Sequence, residues 1–231
     1  MLTQSLRARQ RRSAGMSLVE LLVGMALGLF IIAGVTLVTG TQLGANRQLL
    51  VETQIQQDLR AAADIVARDL RRAGYWGEAF RAAWSPALGN AAKNPHTGVN
   101  VTGSPSNIDY RYSRGGNDDG PFGFRLQSGV LQTQVSLGNW QALTDSRTML
   151  VTEFSITPST VSSAVVACAK ACNDGTSSCW PQVITRDYAI VLSGRAVSDS
   201  AVERTLLTTV SVRNDVIDYR NANSPTTACP P

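Results

Sequence analysis

The hydrophobic pattern of the chain changes period twice. Residues 16–38 are apolar almost without interruption, 23 positions broken by one carboxylate, Glu20. As a helix that run is roughly 35 Å long, enough to cross a hydrocarbon core of about 30 Å. Beyond it, Ile55, Leu59, Ala62, Val66, Leu70 and Ala73 recur at steps of 4, 3, 4, 4 and 3. That spacing predicts one apolar face of an amphipathic α-helix. Glu52, Gln56, Arg60, Asp64, Arg68 and Arg71 fall mostly on its other faces. No proline occurs between Met16 and Arg72, so both segments read as one continuous helix. Arg71 and Arg72 suit a last turn, and Gly74 suits the stop.

From Glu78 onward the period shifts toward two. Trp84–Asn107, rich in Gly, Pro, Asn and Ser, reads as an extended loop. Short β-like runs follow at Ile108–Tyr112, Phe122–Leu126, Val130–Val135, Met149–Ile156, Val183–Ala196 and Val202–Val212. The last two, joined through Ser198–Ala201, read as a hairpin. One long helix and several antiparallel strands can bury each other's apolar surfaces, which makes the fold class α+β.

Charge adds an orientation. The chain carries 21 Lys and Arg against 17 Asp and Glu. Arg7, Arg9, Arg11 and Arg12 precede the apolar run, and without them the balance is 17 against 17. The excess is therefore a leader signal that keeps the N-terminus cytoplasmic, and nucleic acid is not expected as a partner. A cleaved secretory signal fits poorly, because such apolar cores span about 7–15 residues before a small-residue site. Glu20 is the costly feature: a carboxylate at a helix centre in lipid costs about 2.5–3.5 kcal/mol on insertion scales, so it reads as functional.

Gly15-Met16-Ser17-Leu18-Val19-Glu20 after a short basic leader resembles the cleavage motif of type IV prepilins and type II secretion pseudopilins. The resemblance implies that a prepilin peptidase cuts after Gly15 and methylates the new amine of Met16. It also places Glu20 as the carboxylate used in assembly. Many members carry Phe where this chain has Met16, another large apolar residue. Ala67-Arg68-Asp69-Leu70-Arg71-Arg72-Ala73-Gly74-Tyr75-Trp76-Gly77 is similar to the end of the long helix in PilW-type minor pilins, and Arg213-Asn214 to the pair that ends the last core strand in PilW-type pilins and J-type pseudopilins alike. The implied fold is type IV pilin-like: a long N-terminal helix, membrane-spanning in its first half, packed on an antiparallel β-sheet. The implied segments are a removed leader (1–15), a membrane or filament-core helix (16–39), its amphipathic continuation (40–74) and a periplasmic β-rich domain (75–231).

The function implied is that of a minor pilin which primes pilus assembly and sits at or near the tip. The partners implied are the peptidase, other minor pilins, the major pilin, a PilY-type tip adhesin and the inner membrane. A J-type minor pseudopilin of type II secretion is the alternative, and an anchored periplasmic binding domain a third reading. Tyr75 and Trp76 are expected to fill the core beneath the helix end.

Cys168, Cys172, Cys179 and Cys229 all lie on the exported side, an even number that suggests two disulfides among three possible pairings. Cys172 with Cys179 would close a small loop, and Cys168 with Cys229 would tie down the C-terminus. Zinc is disfavoured by the spacing and by the absence of a nearby histidine. Asn117, Asp118 and Asp119 offer oxygen ligands, yet the spacing of a calcium loop is missing and a polar turn reads better. His96 is the only histidine, and no nucleophile stands in a recognisable frame with it. Neither an enzyme nor a cofactor is expected.

Overall fold

The computed structural model describes residues 15–82, 93–103, 107–115 and 119–220. Internal contacts divide the chain into two units, meeting between Leu49 and Leu50.

The first unit is the leading part of helix α1, which runs from Leu18 to Leu70. Its apolar side chains, Phe30 and Leu37 among them, are exposed. This helix is long and apolar enough to cross a membrane. Its hydroxyls are satisfied within the helix: Thr36, Thr39 and Thr41 donate to the carbonyls of Ile32, Val35 and Val38 at 2.7, 2.8 and 2.8 Å. That leaves no hydroxyl donor asking for water along this stretch, as an apolar surrounding requires.

The second unit is built on two antiparallel sheets. The first has the order β1 (Val99–Thr102), β2 (Asn107–Tyr110), β3 (Phe122–Gln127), β4 (Val130–Ser136) and β5 (Asn139–Ala142). The second has the order β6 (Met149–Val165), β7 (Gln182–Ala196) and β8 (Glu203–Ser211), with β9 (Val216–Asp218) also pairing β7. The alternation seen in the sequence becomes the burial pattern. Ile108 and Tyr110 point into the core while Asp109 between them points out.

The latter part of α1 lies on these sheets. Ile55, Leu59, Ala62, Val66, Leu70 and Ala73 are all buried, in one cluster with Phe124, Leu131, Phe154, Ile190, Leu192 and Val210. Three alanines on the helix face (Ala62, Ala63 and Ala67) let the backbone approach the strands closely. Glu52, on the flank of that face, pairs with Arg204 of β8 at 2.5 Å.

Three readings of the sequence need correction. The strands form two sheets rather than one. The presumed loop over 84–107 contains β1, whose Val99 and Val101 are partly buried against the core. The sixth strand runs to Val165, nine residues past the expected end, and keeps its pairing with β7 beyond Pro158 through a register shift. Residues 157–165 are exposed throughout, so no burial pattern marked them in the sequence.

Candidate processing and assembly site

At the start of the described chain, Gly15, Met16 and Ser17 precede the helix and are exposed, and no atom lies within 4 Å of a Cβ built at Gly15. Helix α1 begins at Leu18, with Glu20 the acidic residue of its first turn. A carboxylate there is stabilised by the unpaired amides of the helix start. Met16 stands two residues before the helix that carries Glu20 in its first turn.

The other end of α1 is held by the residues that carried the second resemblance. Gly74 sits at φ +78°, the left-handed conformation that ends helices, and its N–H donates to the Arg111 carbonyl at 2.9 Å. Its own carbonyl accepts from Asn94 Nδ2 at 2.8 Å. Asn214 Nδ2 caps the open helix carbonyls of Arg72 and Ala73 at 3.3 and 3.0 Å, and Arg213 N–H donates to the Arg71 carbonyl at 3.2 Å. The Arg-Asn pair after β8 is thus a C-terminal cap supplied from far along the sequence.

Asp69 is the second anchor. Its carboxylate accepts from Tyr110 Oη at 2.5 Å and from Tyr112 Oη at 3.1 Å. Arg72 Nη1 lies 3.7 Å from it, and the Arg72 guanidinium sits 5.9 Å over the Tyr112 ring. Burial, reinforced by the Asp69 charge, pushes the Tyr110 hydroxyl well above its ordinary value of 10.0. Tyr112 moves in the same direction, again chiefly through burial. Tyr75 does not fill the core: it is 50 % exposed. The helix turns outward at Gly74, and Tyr110, Tyr112 and Phe122 occupy the space beneath.

At the tip of the β6–β7 hairpin, Cys172 and Cys179 are joined by a disulfide across a sequence separation of 7. Asp174 organises the loop between them, accepting from Thr176 N–H and Oγ1 at 2.9 and 2.7 Å, which holds its carboxyl below the usual range. Cys168 is also disulfide-bonded; Cys229, its expected partner, lies outside the described residues.

Asn117 and Asp118 lie outside the described residues as well. Asp119 is described, and its Oδ1 accepts from Arg114 N–H at 3.2 Å. Its Oδ2 stands 3.6 Å from His96 Nε2, which is 3.3 Å from Ser113 Oγ. Serine and carboxylate meet the same ring nitrogen, so the trio lacks the geometry of a proton relay, which needs one partner on each. Among the described residues no three His, Cys, Asp or Glu side chains gather to hold a metal.

An exposed apolar helix led by a short acidic-tipped motif, continuing onto antiparallel sheets, defines a pilin-like subunit. Comparison with known families agrees. Residues 10–36 match the prokaryotic N-terminal methylation motif, and residues 48–212 match prepilin peptidase-dependent protein B. The second match covers most of the chain, which belongs to the prepilin peptidase-dependent protein B family. Searches of curated proteins and of solved structures gave no match. The motif and the apolar helix fit anchoring in the inner membrane, with the prepilin peptidase and other pilins as partners.

Proposed function

We propose that the chain is a PilW-like minor pilin of a type IV pilus, which primes filament assembly and remains at or near the tip. The observation that carries the reading is the pairing of the Gly15–Glu20 motif with the Asp69–Gly74 helix end and its Asn214 cap. The basic leader holds the N-terminus in the cytoplasm and sends the domain after Gly74 to the periplasm. Cleavage after Gly15 leaves a methylated Met16 amine four residues ahead of Glu20. Neither charge is comfortable in an apolar filament core. A neighbouring subunit's carboxylate beside this amine offsets the desolvation cost of both groups. Gly24, Gly28 and Gly34 have no atom within 4 Å of a built Cβ, which gives partner helices room for close approach.

The J-type pseudopilin of type II secretion shares the leader logic; the Tyr75-Trp76-Gly77 sequence favours the pilus. The test is fractionation. Filaments sheared from piliated cells contain the protein in trace amounts relative to major pilin, and deletion of its gene removes most surface pili. Normal piliation after deletion, with a lost secreted enzyme instead, would assign the chain to secretion.

A further inference from the structure

We propose that the solvent-facing side of the first sheet binds a saccharide, in a cleft centred on Gln134. The strand register builds this site. Asn100 pairs with Asp109, Asp109 with Gly123, Gly123 with Gln134, and Gln134 with Trp140, so five residues form one row across five strands. Directly paired residues share a face. The neighbouring row, with Ile108 and Phe124, faces the core, which puts the Gln134 row on the outside.

Gly123 cuts a notch in that row. A Cβ there would stand 2.3 Å from the Ile108 carbonyl oxygen, so no side chain fits. Along this row lies a cleft of about 440 Å³ whose lining includes Asn100, Asp109, Arg111, Pro121, Gln134 and Trp140. This is the size range of small-molecule sites.

Gln134 is 8 % exposed and lines the cleft. Its carboxamide offers one acceptor and two donors to a ligand in that cleft. Its neighbours are held ready around it. Asn100 Nδ2 donates to Asp109 Oδ2 at 2.8 Å, which leaves the other carboxylate oxygen open. Arg111 spends one nitrogen on the Gly120 carbonyl at 3.4 Å and keeps further donors. The Trp140 ring is steadied by the Arg125 guanidinium 4.1 Å from its centroid, itself fixed by Gln132 at 2.8 Å.

The chemistry selects the ligand class. Planar donors and acceptors of both kinds, beside an indole, match the hydroxyls and apolar C–H surface of a sugar ring. A phosphate is disfavoured, since Asp109 offsets Arg111 and no helix N-terminus points into the cleft. An extended peptide would seek a free strand edge, whereas this cleft lies mid-face over β2–β4, where the ladder bonds are already made.

The experiment uses the full chain in a non-glycoside detergent, so that no sugar head group competes. It is probed on an array of oligosaccharides built from neutral hexoses, N-acetylhexosamines and uronic acids, and hits are titrated by saturation-transfer NMR. At least one class binds with a Kd of about 1 mM or tighter. Gln134→Ala and Trp140→Ala each weaken that binding about tenfold or more, the scale of one lost buried hydrogen bond or ring contact. Trp180→Ala, on the disulfide loop, leaves it unchanged. Asn100→Ala, on an exposed edge strand, serves as the reading if either of the first two melts early. Absence of binding to every class, or binding that survives Gln134→Ala, Trp140→Ala and Asn100→Ala in folded protein, overturns the proposal.

Discussion

Replacing Asp69 by alanine removes the only acceptor of the Tyr110 hydroxyl among the described residues. Tyr110 is 1 % exposed, and water entering where the 24 %-exposed Asp69 side chain stood replaces the carboxylate only in part. A buried donor left unpaired costs about 1–3 kcal/mol, and the lost hydrogen bond to a charged group lies in the same range. Tyr112, at 3.1 Å from the same carboxylate with Arg72 beside it, adds less. The total comes to about 2–4 kcal/mol. For a unit of this size each kcal/mol shifts the melting temperature by about 2–4 °C, so Asp69→Ala lowers it by about 4–16 °C. Circular dichroism of the full chain in detergent reads the change. Asp69→Asn keeps an acceptor and loses less than half as much. In a Tyr110→Phe/Tyr112→Phe background the Asp69→Ala penalty shrinks, because the donors are gone. Melting of Asp69→Ala within about 2 °C of the wild type would refute the view that this carboxylate ties the helix end to the sheet.

Three further outcomes follow from the same geometry. Burial holds protons on Tyr110 and Tyr112 that the unfolded chain releases above its ordinary value of 10.0. Their contribution is therefore complete below about pH 10 and lost as pH rises through the folded values: the urea midpoint falls between pH 8 and pH 11, and Tyr110→Phe flattens the fall. Asn214→Ala uncovers two helix carbonyls and costs about 1–2 kcal/mol in urea melts, while Asn214→Asp, which has no donor, is no better. Glu20→Ala yields a cleaved, membrane-inserted protein that enters sheared filaments poorly; normal incorporation would remove the carboxylate from assembly.

The sequence disclosed what has a strict period or a strict motif. Six apolar positions of the second half-helix, spaced for one face, are all among those the sheets cover, with Ala63 and Ala67 beside them, and the Gly15–Glu20 frame needs no tertiary information at all. The Ser198–Ala201 hairpin was legible because its two strands alternate and flank a polar turn. Distant pairing was not. Nothing local marks Asp69 as the acceptor of two tyrosines about forty residues away, or Asn214 as a cap for a helix that ended long before it. Tyr75 looked like core filling because it follows a buried stretch, but Gly74 turns the chain outward just ahead of it. β1, β5 and β9 are too short, at 4, 4 and 3 residues, for alternation to register. The Gln134 row is invisible in the sequence, since it exists only once five strands have found their register.

The most direct measurement of the central claim is the N-terminal residue of the protein recovered from membranes, by intact mass and terminal sequencing. An N-methylated Met16 with the leader through Gly15 gone is the result expected of a prepilin peptidase substrate. An intact leader would contradict the account and leave a membrane-anchored domain that never enters a filament.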